Sequence, residues 1–229
     1  MRPIAWMAWL FIMGSACFAV GVPLSLVTTI SPVVAAAVFF VGSILFTAAA
    51  SIQTWLARTT LPRVEIDASL WLRARRLFDV RNVAWTSAWV QWIGTLFFNS
   101  TTFRALRDAV DAGSVSNQLV WFPDAAGSAL FLISSGIACL PEVRAHRHGH
   151  ARNRSWLIVA LNLVGSVFFG LSALGAYTLP TTDQLVNVTW SNGGTLIGAL
   201  CFLFGAWLIL PTTTRAASRG TSTSMGGTT

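Results

Sequence analysis

Residues 41–49 read Val41-Gly42-Ser43-Ile44-Leu45-Phe46-Thr47-Ala48-Ala49. Within this apolar run a Gly is followed by a small residue, by Phe four positions on, and by another small residue seven positions on. The pattern recurs at Gly14-Ser15…Phe18…Gly21, Gly94-Thr95…Phe98…Thr101, Gly127-Ser128…Phe131…Ser134, Gly165-Ser166…Phe169…Ser172 and Gly198-Ala199…Phe202…Gly205. Seven residues is close to two helical turns, so Gly and its small partner share a helix face. Small residues on one face let helix backbones approach closely inside a bilayer. Gly14, Gly42, Gly94, Gly127, Gly165 and Gly198 are therefore expected to be helix-packing positions.

Each copy sits in a different apolar run. Six runs are long enough to cross a hydrocarbon core of ~30 Å at 1.5 Å per residue. They are expected at about Ile4–Val27, Val33–Leu56, Val83–Phe103, Val120–Leu140, Ser155–Leu179 and Trp190–Leu210. The six Gly are spaced 28, 52, 33, 38 and 33 residues apart, with the shorter gaps inside helix pairs. The repeating unit is thus a helical hairpin used three times, over 4–56, 83–140 and 155–210. Every hairpin enters from the same side, so the repeats are parallel and relate by an axis along the membrane normal. The fold class expected is an all-α integral membrane protein with six transmembrane helices. Residues 1–210 form the membrane domain, and 211–229 form a Thr/Ser/Gly-rich tail expected to be disordered.

Composition agrees. The chain has 229 residues, 54% hydrophobic and 10% charged, with a mean hydropathy of +0.64. Soluble domains carry roughly 25% charged residues. All 15 basic residues are Arg. Without Lys there is no Schiff base for retinal or pyridoxal phosphate and no Walker-type phosphate loop. The Arg-rich coding suggests a GC-rich bacterial genome.

Arg distribution orients the chain. Arg58, Arg63, Arg73, Arg75, Arg76 and Arg81 lie between runs two and three, and Arg144, Arg147, Arg152 and Arg154 between runs four and five. Arg215 and Arg219 follow run six, and Arg2 precedes run one; only Arg104 and Arg107 fall on the other side, beside Asp108 and Asp111. By the positive-inside rule both termini are cytoplasmic, in a bacterial plasma membrane, and the loop 104–117 is external. The net charge of +7 is explained by orientation and lipid contact, so no nucleic-acid partner is expected. Trp6, Trp55, Trp85, Trp121, Trp156, Tyr177, Trp190 and Trp207 near the run ends read as interfacial anchors.

Between runs two and three, Ile66, Leu70, Trp71, Leu77 and Phe78 recur at helical spacing among Arg residues. Residues 61–81 therefore read as an amphipathic helix on the cytoplasmic membrane surface, with a solvated loop as the alternative. Arg2, the first apolar run and Gly14-Ser15-Ala16-Cys17 loosely resemble a lipoprotein signal. The run continues well past Cys17, and Gly14 stands where such sites have Leu, so a retained first span is expected.

The hairpins resemble the YrhK-like membrane domain of bacteria, through Val41-Gly42-Ser43-Ile44-Leu45-Phe46 and Ala126-Gly127-Ser128-Ala129-Leu130-Phe131. The resemblance implies a membrane-hairpin fold and carries no catalytic residue, cofactor or substrate.

Few residues offer chemistry. Asp124 follows Trp121-Phe122-Pro123 at the outer start of run four. It reads either as an ordinary first-turn carboxylate facing the helix dipole, or as a cation or proton site at a pore mouth. Gln53, Gln91, Asn99 and Asn162 are the other polar intramembrane candidates, for interhelical hydrogen bonds or for lining a passage. His146-Arg147-His148-Gly149-His150 has interleaved Arg and no near acidic partner, so no metal site is expected. Cys17, Cys139 and Cys201 read as small buried residues. Asn187-Val188-Thr189 matches a glycosylation acceptor, discounted for a bacterial protein. No acid, base and nucleophile are assembled, so neither an enzyme nor a cofactor is expected. Two functions remain: binding or passage of a small solute or ion, and a non-catalytic subunit of a membrane complex. The partners expected are the bilayer and either another membrane protein or further copies of the chain.

Overall fold

A computed structural model describes residues 3–59, 82–111, 120–147, 153–182 and 184–210. They form six helices: α1 (Pro3–Leu26), α2 (Pro32–Arg58), α3 (Val83–Val110), α4 (Phe122–Arg147), α5 (Asn153–Gly175) and α6 (Val188–Ile209). All but α3 are long and apolar enough to cross a membrane. Gln91, Asn99 and the Ser100-Thr101-Thr102 stretch thin the apolar content of α3. Among the described residues the sole β element is an isolated bridge between Thr178 and Leu185, in the turn between α5 and α6.

Local signals set the helix starts. The Ser31, Asn82 and Asn187 side chains accept from the backbone N–H groups of Val33, Trp85 and Trp190, satisfying first-turn donors that would otherwise lack partners. Asn187-Val188-Thr189 is thus a helix start. At the other end of α6, Arg154 donates to the carbonyls of Leu208 (2.7 Å) and Leu210 (2.6 Å), a cationic cap on the negative dipole end.

The helices pack in chain order, with α6 closing back on α1, so the bundle is a six-membered ring. Hydrogen bonds give the antiparallel register. Thr54 donates to the Ala88 carbonyl and Asn99 to Thr47 across α2–α3. Ser87 meets Ser134 across α3–α4, and Ser135 meets Ser166 across α4–α5. The finishes of α1, α3 and α5 and the starts of α2, α4 and α6 therefore lie at one end of the ring, the loop end, and the start of α1 and finish of α6 at the opposite, terminal end.

The repeated residues face inward. Gly14, Gly42, Gly94, Gly127, Gly165 and Gly198 are all buried. Within each hairpin the Phe of one helix lies over the Gly of its partner. A Cβ at Gly14 would meet the Phe46 ring at 2.8 Å, at Gly94 the Phe131 ring at 2.8 Å, and at Gly165 the Phe202 ring at 2.9 Å. The relation is reciprocal: positions 42, 127 and 198 face Phe18, Phe98 and Phe169. The outer surface carries exposed apolar side chains such as Met13, Val41, Leu132, Val167 and Phe204, a distribution compatible with a multi-pass membrane protein.

Several sequence expectations need correction. Helix α3 runs seven residues past Phe103 and α4 seven past Leu140, so Arg104 and Arg107 sit on a helix and not in a loop. Helix α5 ends at Gly175, before Tyr177 and Leu179, where the close approach of the Asn187 carbonyl leaves no room for a side chain at position 175. Trp85 is 6% exposed and buried in the bundle, so it is not a surface anchor. It begins a stacked series on α3, with Trp85–Trp89 and Trp89–Trp92 centroids 5.9 and 5.0 Å apart. The expected amphipathic helix at 61–81, His148, His150 and the tail 211–229 lie outside the described residues.

Candidate functional site

The six repeat Phe converge on the bundle axis. Because neighbouring helices run in opposite directions, Gly-plus-four places them in two layers. Phe18, Phe98 and Phe169, from the odd-numbered helices, form the layer nearer the loop end, with centroids 6.2 Å (18–169) and 5.9 Å (98–169) apart. Phe46, Phe131 and Phe202, from the even-numbered helices, form the second, at 6.2, 5.8 and 5.6 Å. The layers lock together through 18–46, 98–131 and 169–202 contacts of 5.9, 5.1 and 5.4 Å. These distances are those of attractive aromatic pairs. A void of about 10 Å³ lies between the layers, scarcely one water molecule. The axis is plugged at this level.

Beyond the first layer the bundle opens toward the loop end. One cavity of about 210 Å³ is floored by Phe18, Phe98 and Phe169 and walled by Ser25, Asp124, Ser128, Ser172, Asn192 and Thr195, among others. A second, of about 580 Å³, continues between the ends of α1, α2 and α3, with Leu24, Thr28, Ile30, Ala36, Thr101 and Thr102 in its walls. Both share Phe18, Ser25, Phe39, Asp124 and Thr195, so they make one vestibule. Asp124 lies in the first turn of α4 and is half-buried. Among the described residues no hydrogen bond or ion pair reaches its carboxylate, and it is the sole ionisable side chain lining either cavity.

The other sequence-selected polar residues are not gathered there. Asn99 donates its amide to Thr47 (2.9 Å), and its carbonyl oxygen is buried without a partner among the described residues. Asn162 lies against α6, its Oδ1 3.0 Å from where a Cβ at Gly205 would stand. Gln53 and Gln91 are half-buried, and none of these four lines the vestibule. The small hydroxyl residues instead tie helices together: Ser43 to Thr102 at 2.8 Å, Ser135 to Ser166 at 2.8 Å, and Ser172 to Thr195 at 2.7 Å. Thr101 also donates to the Val120 carbonyl, and Trp121 to the Ala173 carbonyl at 2.7 Å, fixing the entry to α4 beside the vestibule.

The sequence reading overlooked the Phe plug and the hydroxyls of Ser25, Ser128, Ser172 and Thr195. The signal for the plug was present in the invariant Gly-to-Phe spacing. The wall hydroxyls carried none, since isolated Ser and Thr in apolar runs are ordinary. Comparison with protein-family models, curated proteins and solved structures finds no match for this chain.

Proposed function

We propose that this is a six-span membrane protein whose vestibule binds a small solute or ion, with Asp124 as the charged contact. The observation that carries this reading is a carboxylate without a partner among the described residues, in a cavity closed beneath by three Phe rings. Ionisable groups at membrane depth are costly and are kept where they meet a ligand or a partner charge. A cavity of about 580 Å³ falls in the roughly 300–1,000 Å³ range of small-molecule sites. In this proposal α3 is the sixth span, its polar side chains turned to its neighbours. The Arg-rich loops and both termini face the cytoplasm of a bacterial cell, so the vestibule opens outward. Residues 61–81 lie along the inner membrane surface. The same plug means that passage, as distinct from binding, requires the Phe layers to part.

A second reading, an accessory subunit of a membrane complex, is favoured by the filled axis together with the apolar outer belt. Reconstituted wild-type and Asp124→Asn proteins separate the two. Solute binding predicts a ligand-dependent rise in Tm, and flux of any transported ion, that Asp124→Asn diminishes at unchanged yield and basal Tm. Absence of ligand stabilisation and flux across common ions and small solutes, with a stoichiometric membrane protein co-purifying, would favour the subunit.

A further inference from the structure

The threefold repeat is broken where it faces the vestibule. Three residues before the repeat Gly, the even-numbered helices carry Phe39 in α2, Asp124 in α4 and Thr195 in α6. These three equivalent positions line both parts of the vestibule. The floor beneath them keeps the repeat, with Phe18, Phe98 and Phe169 at equivalent positions of α1, α3 and α5. One level of the site is thus uniform and apolar. The next presents an aromatic ring, a carboxylate and a hydroxyl from three sides. Phe39 is held against Gly21, where a Cβ would come within 2.8 Å of its ring. The Thr195 hydroxyl is fixed by Ser172 (2.7 Å) and the Ser191 carbonyl (2.9 Å).

We infer that the vestibule accepts an amphiphilic organic monocation, its charge beside Asp124 and Phe39 and its apolar body along Leu24, Ala35 and Ala36. This inference rests on the vestibule being a binding site. A single carboxylate balances one positive charge. Calcium takes six to eight oxygen ligands, usually with several carboxylates, and small alkali ions need a cage of oxygens. The wider chamber is lined mainly by aliphatic and aromatic side chains, while in the inner one the hydroxyls of Ser25, Ser128, Ser172 and Thr195 donate to carbonyls of the helices. An organic cation sheds hydration readily, gains from aromatic faces and buries its hydrocarbon on the same walls. Among the described residues no Arg or His lines either cavity to oppose it.

Purified protein in detergent is titrated calorimetrically with tetraphenylphosphonium and, as a probe of like shape and opposite charge, tetraphenylborate. Sodium and calcium chloride are titrated in parallel. The phosphonium is expected to bind saturably, and tetraphenylborate about tenfold or more weaker, because the one charged wall repels it. Asp124→Asn should weaken phosphonium binding by about tenfold or more, and Phe39→Leu, which keeps bulk and loses the ring, by about threefold. Thr195→Arg sets a cation opposite Asp124 and should exclude the phosphonium even if Asp124→Asn fails to elute as a single species. Equal affinity for both probes, or indifference to all three substitutions, overturns the inference. Asp124-dependent binding of sodium or calcium without the phosphonium overturns the ligand class and leaves the vestibule reading intact. Absence of binding by every probe overturns both.

Discussion

The ring of Phe131 occupies the place that a side chain at position 94 would need: a Cβ on Gly94 would stand 2.8 Å from its Cδ2 atom. Each hairpin repeats this seat in both directions, and the six seated rings together close the bundle axis. The Gly residues thus do more than permit close backbones. They are the sockets that aim the Phe rings at the centre, and the roof of the plug is the floor of the vestibule.

Glycine substitutions should sort by what the new methyl meets. At Gly194 a Cβ would fall 2.6 Å from the Phe168 carbonyl oxygen, and at Gly14 it would fall 3.0 Å from the Gly42 carbonyl oxygen and 2.8 Å from Phe46. At Gly136 it would meet nothing within 4 Å. Gly194→Ala should be the most destabilising and Gly14→Ala next, within the range of about 1–3 kcal/mol for overpacking. Gly136→Ala should be neutral or stabilising by up to about 1 kcal/mol, because Ala favours the helix. Thermal unfolding in detergent reads the order, and a Tm fall for Gly136→Ala matching that of Gly194→Ala would refute it.

The α2–α3 seam offers a test of polar coupling. Asn99 and Thr47 are joined by a 2.9 Å hydrogen bond. A double-mutant cycle with Asn99→Leu and Thr47→Val should give a coupling of about 0.6 kcal/mol, and no more than about 1.7. Thr47→Val alone should cost more than Asn99→Leu, because it strands a half-buried amide that the second change removes. The reverse order would show that Asn99 has a further partner.

The Phe layers should be a barrier. Phe169 and Phe202 stack at 5.4 Å, one from each layer. Removing both rings opens a gap through both layers, so proteoliposomes carrying Phe169→Ala with Phe202→Ala should leak potassium faster than wild type. Each single substitution should lower stability by about 3–5 kcal/mol through the cavity left behind. A monodisperse double variant as tight as wild type would place the barrier elsewhere on the axis.

Orientation is open to labelling. With Cys17, Cys139 and Cys201 changed to Ala, Thr28→Cys and Thr181→Cys report on the loop end and Thr59→Cys on the terminal end; all three positions are exposed. The Arg asymmetry predicts that an impermeant maleimide labels the first two in intact cells and Thr59→Cys only after permeabilisation. The opposite pattern would turn the vestibule toward the cytoplasm.

The sequence alone determined the helical, membrane-compatible character of the chain and the places of its six helices. It did so because apolar length and small-residue spacing are local properties of a helix, written every few residues. Helix ends were less legible: α3 and α4 continue through Arg104 and Arg144 because charged residues are tolerated in a helix once it leaves the apolar zone. The candidate site was legible at one point, Asp124, whose charge stands out in any apolar run. Phe39, Thr195 and the floor of Phe18, Phe98 and Phe169 looked like ordinary apolar-helix residues. Only the closing of α6 onto α1 decided that these positions meet, because the alternation of helix direction sorts identical motifs into two layers and turns three equivalent residues of different chemistry toward one cavity.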